Sequence, residues 1–264
     1  MPSKTIINTQ AVYTEGDSSK IPVVFVHGFL FDHTMWQAQI DILSKDYYCI
    51  SYDLRGFGAS YVGDGQFTLD SYSSDLFSIV TELNLIRPVL CGLSLGGYIV
   101  LRTLERDQSR FRGTVLCNTK AEADSDKIKL ERAKKIDEIN LNGLENYSKE
   151  FFKTCFSEDT YKEKPKMIEN LAQAAVKNNP RGVKGGLFAM MSRTDTNHFL
   201  PEINIPSLII AGEKDQRSPA ANMKEMAGKI KGSVFTEIEN AGHLSPLEQP
   251  EKVTEAIRKF LSAF

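Results

Sequence analysis

With 264 residues, 41% of them hydrophobic and 25% charged, the chain can bury one large core and has the size of a single α/β domain carrying an insertion. A net charge of -2 supplies no sustained positive field for a phosphate backbone, which argues against nucleic acid as a partner. Met1 to Gly16 is polar and mixed, and nowhere do roughly 20 apolar residues follow one another, so neither a secretory leader nor a membrane span is expected.

Short β-branched runs ending in glycine or polar turns alternate with helical patterns, the signature of a mostly parallel sheet with helices on both faces. In chain order the runs are Pro22 to Val26, Tyr48 to Tyr52, Val89 to Cys91, Thr114 to Cys117 and Ser207 to Ala211. All are nearly continuous apolar stretches, as strands buried on two sides should be. Val234 to Ile238 alternates instead and is expected nearer an edge.

Between Asn118 and about Pro201 the strand signal gives way to four apolar stripes at helical spacing. They are Leu130, Ala133, Ile136 and Ile139; Leu144, Tyr147, Phe151 and Phe152; Met167, Leu171, Ala174 and Ala175; and Val183, Leu187, Met190 and Met191. Asp124 to Asp126 offers an N-cap, Gly143 a stop, and Pro165 and Pro180 suit first helical positions. The expected organisation is a core over residues 1–119, a helical lid over 120–200 inserted into it, and the rest of the core over 201–264. Charged runs such as Lys127 to Glu138 read as the solvated outer face of that lid.

The four cysteines show no CxxC spacing. Cys49, Cys91 and Cys117 lie in apolar runs and Cys155 in a polar stretch of helical character, so all four read as small buried hydrophobes of a reducing, cytoplasmic compartment.

The sharpest local signal is Gly92-Leu93-Ser94-Leu95-Gly96, set between the run Val89 to Cys91 and a helical stretch Gly97 to Leu104. G-x-S-x-G alone occurs by chance in roughly one chain in ten of this length, so the strand-to-helix context carries the reading. A serine on such an elbow projects its hydroxyl away from the sheet, and flanking glycines remove side chains that would collide there. The elbow would also aim the N–H of Leu95, at the start of a helix, toward a developing negative charge.

Serine needs a base and the base an orienting acid. His243 follows the last run, and Asp215 follows Ser207 to Ala211, both at strand C-termini where loops gather. Glu213 is a rival acid: alternation along an extended strand end would point it and Asp215 toward a similar side, so spacing does not separate them, and Asp195 belongs to the lid. His27, at the end of the first run, reads as a brace for its turn, His33 as surface or packing, and His198 as a residue near the lid's return. No cluster of His, Cys and carboxylate shows metal-ligand spacing, so neither metal nor organic cofactor is implied.

Together these residues resemble the α/β-hydrolase superfamily along essentially the whole chain. The resemblance rests on His27-Gly28-Phe29, on Asp53-Leu54-Arg55-Gly56-Phe57-Gly58, and on Gly92 to Gly97. It continues in Ala211-Gly212-Glu213-Lys214-Asp215 with Pro219, and in Ala241-Gly242-His243 with Glu248, Pro250 and Val253. It implies an α/β-hydrolase fold with Ser94, Asp215 and His243 as catalytic residues, favouring Asp215 over Glu213. It further implies an oxyanion hole from the N–H groups of Phe29 and Leu95, with the Phe29 ring lining the pocket and Asp53 and Arg55 as structural residues. The subgroup it is most similar to is the 3-oxoadipate enol-lactonases and related small aryl esterases, partly through Leu116-Cys117-Asn118-Thr119. Met190 and Met191 on the lid suggest an adaptable, apolar substrate pocket.

The expected function is therefore serine-dependent cleavage of a small-molecule ester or lactone, with no membrane partner. Alternatives on the same fold are C–C bond hydrolysis, cofactor-free perhydrolysis, or a slow-turnover ligand receptor. A haloalkane dehalogenase is disfavoured, because an aspartate would stand where Ser94 does.

Overall fold

The computed structural model describes residues 2–264. Eight strands form one sheet: β1 (Ser3–Ile7), β2 (Gln10–Glu15), β3 (Pro22–Val26), β4 (Tyr48–Tyr52), β5 (Val89–Leu93), β6 (Gly113–Cys117), β7 (Ser207–Gly212) and β8 (Val234–Ile238). Their spatial order is β1-β2-β4-β3-β5-β6-β7-β8, antiparallel from β1 to β4 and parallel from β4 through β8. β3, β5, β6 and β7 are buried along their whole length, which is why their sequences are apolar on both faces. β8 is exposed in part and closes one edge, as its alternation predicts.

The β1–β2 hairpin is not foreshadowed by the polar reading of Met1 to Gly16. It turns through Asn8 and Thr9, both at positive φ (44° and 77°), the twist-matched two-residue connection of a hairpin. Threonine is uncommon in that conformation, so Asn8-Thr9 lacks the glycine that usually announces such a turn.

Helices cover the two faces. Helix α1 (Gln37–Leu43) packs against the last helix, α11 (Pro250–Leu261), while α2 (Leu69–Glu82) packs on α3 (Leu95–Asp107). Thr68 and Ser71 form a reciprocal capping box that starts α2. Helix α9 (Ala220–Lys229) bridges β7 and β8, and the short α10 (Ser245–Glu248) precedes α11. Among the described residues no helix is long and apolar enough to cross a membrane.

Between β6 and β7 the chain forms α4 (Asp126–Asn142), α5 (Leu144–Phe152), α6 (Glu158–Glu163), α7 (Pro165–Val176) and α8 (Pro180–Met191). Ser125 is the N-cap of α4, Gly143 ends it at φ 72°, and Pro165 and Pro180 begin α7 and α8. The block has five helices rather than four. Helix α6 has six residues, too few to show a period, and its only signal is the capping Ser157 with Glu158 and Asp159 in the first turn. The first stripe is also shorter than expected: Ile136 and Ile139 are buried, but Leu130 is exposed. All four cysteines are buried and unpaired, Cys155 in the turn after α5 included.

Candidate active site

The chain leaves β5 at Leu93, reverses at Ser94 with φ 52° and ψ -112°, and enters α3 at Leu95. This backbone is disfavoured for any L-residue, and its surroundings hold it in place. The N–H of Ser94 donates to the Cys117 carbonyl at 3.0 Å, and its own carbonyl accepts from Thr119 Oγ1 at 2.8 Å. The glycines have a steric reason. A Cβ on Gly92 would lie 2.5 Å from the Gly96 carbonyl oxygen, one on Gly96 2.2 Å from that of Val26, and one on Gly97 2.4 Å from Thr119 Oγ1. The elbow can therefore press α3 directly against the end of β3.

Ser94 is half-buried, and its Oγ lies 2.9 Å from Nε2 of His243. On the far side of the ring, Nδ1 lies 2.9 Å from Oδ2 of Asp215. An ionised carboxylate only accepts, so Nδ1 carries the ring proton and Nε2 is left to accept from the serine hydroxyl. Asp215 is also gripped by the Arg217 and Ser218 N–H groups on Oδ1, at 2.7 and 3.0 Å. Its Oδ2 accepts from the Asn118 side-chain amide at 2.9 Å and from the Ser218 hydroxyl at 2.5 Å. Burial disfavours the Asp215 charge, but His243 and the hydrogen bonds from His243, Ser218 and Asn118 outweigh it and hold the carboxyl well below the usual carboxylate range.

That shift has a sign for stability. Because the folded carboxyl is a stronger acid than the unfolded one, its contribution is complete above the ordinary aspartate value of about 4 and is lost as pH falls below it. The urea midpoints of wild type and Asp215→Asn should therefore converge as pH drops from about 6 to about 3. A constant gap across that range would contradict the shift.

The rival acid lies elsewhere. The chain turns tightly at Gly212, where the Asp215 N–H donates back to the Gly212 carbonyl, so residues 213 and 215 do not share the side that strand alternation assigns them. Glu213 accepts from the Asn240 N–H at 2.9 Å, and exposed Asp195 caps the N–H of Asn197.

The remaining histidines do structural tasks. His27 is buried; Nε2 accepts the Leu54 N–H at 2.9 Å, so Nδ1 donates to the Gly28 carbonyl, and burial holds the ring in its neutral form. His33 stacks on Tyr13 at 3.5 Å between ring centroids and bonds Asp53 at 2.7 Å. Asp32, His33 and Asp53 place their ligand-type atoms within 4.8 Å of one another, a cluster not visible from spacing. Asp53 is already occupied by the N–H groups of His33 and Ala59 as well as the His33 ring, which makes it a brace for the turn after β4. Arg55 is tied to Asp75 on α2, and exposed His198 pairs with Glu105.

Phe29 is buried in the loop after β3, next to Leu30 at φ 70°. Among the described residues the N–H groups of Phe29 and Leu95 donate to no acceptor within the chain. The Phe29 ring packs edge-on against Phe57 and Phe151 at 5.7 Å and against Tyr147 at 6.4 Å. Tyr147 and Phe151 also line a cleft of about 420 Å³ with Leu187, Arg132 and Arg217, one side-chain layer from Phe29. A larger groove of about 760 Å³ between Phe67, α4 and α8 contains none of Ser94, His243 or Asp215. On α8, Gly186 abuts the Phe29 ring, and Met190, buried, follows one turn later on the same side; Met191 is half-buried beside it.

Four contributors have no role assigned from the sequence: Asn118, Thr119 and Glu248, which enter only as parts of motifs, and Ser218. Asn118 stands just past the end of β6 at φ 42°, the rim on which the serine and acid loops also open, and that position, beside the motif that contains it, is the signal of a role in the site.

A strand-elbow-helix serine joined to a histidine and an aspartate at the C-terminal rim of a mostly parallel sheet defines a class. Residues 21–250 match the family model described as alpha/beta hydrolase fold, and the chain belongs to that family. It is similar to a solved thermophilic esterase from Thermogutta terrifontis, with a TM-score of 0.94 and 34% identity over 100% of this chain and 98% of that one. It is 29% identical to 3-oxoadipate enol-lactonase 1 of Acinetobacter baylyi over 97% of this chain and 94% of the relative. The enol-lactonase from Burkholderia xenovorans LB400 shares the fold, with a TM-score of 0.90 and 24% identity over 98% of this chain and 100% of that one.

Proposed function

We propose that the protein is a carboxylic ester hydrolase acting on esters or lactones through an acyl-enzyme on Ser94. The observation that carries the reading is the continuous hydrogen-bonded row from Ser94 Oγ through His243 to Asp215, with both links at 2.9 Å. His243 Nε2 takes the hydroxyl proton as Oγ attacks the carbonyl carbon, and Asp215 keeps the ring oriented and steadies its charge. The N–H groups of Phe29 and Leu95 receive the oxyanion, the second helped by the positive end of α3. Collapse of that intermediate transfers the His243 proton to the leaving alkoxide. Water, deprotonated by the same ring, then releases the acid and restores Ser94.

The aromatic group Phe29, Tyr147 and Phe151, with Met190 and Met191, would form the apolar wall of the substrate site, and the cleft beside Arg217 its approach. Residues 120–200 act in this reading as a lid inserted into the core. Support comes from the family membership and from the esterase and lactonase named among similar proteins. A panel of p-nitrophenyl esters and lactones, with β-diketone and peroxide arms for C–C cleavage and perhydrolysis, tests it. A fluorophosphonate should leave a single adduct on Ser94. Turnover of no ester or lactone together with an unlabelled Ser94 would reject the proposal.

A further inference from the structure

Glu248 is 1% exposed, yet among the described residues no cation lies within ion-pair distance of its carboxylate. A buried charge without a counter-ion is costly unless hydrogen bonds replace the lost water. Here three do. Oε1 accepts the Gly242 N–H at 2.8 Å; Oε2 accepts the Ser157 N–H at 2.8 Å and the Thr160 hydroxyl at 2.7 Å. The carboxylate thus joins the residue before His243 to the α5–α6 turn of the inserted helical block.

That turn holds the histidine directly. The His243 N–H donates to the Cys155 carbonyl at 2.7 Å, and the Gly242 carbonyl accepts the Asn118 amide at 3.2 Å. Three consecutive backbone groups around His243 are therefore anchored, two of them through the segment that Glu248 grips. Gly242 makes the contact possible: a Cβ there would lie 2.7 Å from the Ser157 nitrogen and 2.9 Å from the Cys155 oxygen. The end of α5 and the turn after it also receive the guanidinium of Arg217, two residues from Asp215, on the Phe151 carbonyl and Thr154 Oγ1.

We propose that Glu248 is a positioning residue for His243: by clamping the Gly242 N–H to the α5–α6 turn, it sets the imidazole against Ser94. The proposal rests on the triad reading above. It also makes the 152–160 segment a fixed seat of the active site, although it belongs to the helical block.

In Glu248→Gln an amide NH₂ must face one set of N–H donors, so either Gly242 or Ser157 loses its acceptor. Displacement of a catalytic ring by a fraction of an ångström is expected to lower kcat by about 10- to 100-fold while KM stays within about threefold. The fluorophosphonate labelling rate of Ser94 should fall in parallel, and the far-downfield proton NMR signal of the His243–Asp215 hydrogen bond should shift or broaden. Folded Glu248→Gln with wild-type labelling and an unmoved proton signal, and only a lower Tm, would overturn the proposal. If Glu248→Gln does not fold, Thr160→Val decides, since it removes one donor to the carboxylate and keeps the shape. Labelling slowed about threefold or more supports the clamp, and wild-type labelling overturns it. Wild-type enzyme that fails to label at all would instead bring down the triad reading, and the clamp with it.

Discussion

Ser94→Ala is expected to lower turnover of any ester substrate by about 10⁴- to 10⁶-fold while leaving KM nearly unchanged. The loss is large because the hydroxyls hydrogen-bonded to Ser94 and Asp215 are committed: Thr119 to the Ser94 carbonyl and Ser218 to Asp215. The residue left behind is small and keeps the same backbone bond to Cys117, so far-UV circular dichroism and Tm should stay close to wild type. Steady-state kinetics on one ester of the panel, with mass spectrometry to confirm the absence of a phosphonate adduct, is the measurement. A variant retaining more than a few per cent of wild-type kcat would place the nucleophile elsewhere.

Asp215→Asn is expected to lower kcat by about 10³- to 10⁴-fold, for a different reason. Five hydrogen bonds point at this carboxylate from Arg217, Ser218, Asn118 and His243, all of them from donors. An asparagine can accept at only one of its two polar atoms, so its NH₂ must meet a donor. Turning that NH₂ toward His243 favours the tautomer with the proton on Nε2, which cannot accept from Ser94. Glu213→Gln is the control. Glu213 serves the Asn240 backbone, and its loss should change kcat by less than about fivefold. Equal losses in the two variants would mean that the acid had been misassigned.

What could be read from the sequence follows where burial was two-sided. β3 to β7 announce themselves because each is covered on both faces, and the elbow because three glycines were needed where α3 meets β3 and Thr119. The first hairpin stayed hidden because its strand β1 is largely exposed and its turn uses threonine. Helix α6 stayed hidden because it is shorter than two turns. For Glu213 and Asp215, alternation along an extended strand was the wrong rule, since the chain has already turned at Gly212. Asn118, Ser218 and Glu248 could not be ranked at all. Asn118 and Glu248 act through hydrogen bonds to loops far away in sequence, which only the fold brings together, and Ser218 bonds the Asp215 of its own loop without any motif or spacing that marks it.

The left-handed backbone at residue 94 bears on directed evolution of this chain. Glycine has no penalty at that φ and ψ, whereas serine carries strain on the order of 1–3 kcal/mol, more than glycine's added freedom in the unfolded chain takes away. A library screened for heat resistance alone would therefore enrich Ser94→Gly, yielding sturdier molecules that lack the proposed nucleophile. Any such campaign has to include a turnover screen in every round, because with Ser94 as the proposed nucleophile robustness and chemistry pull one codon in opposite directions.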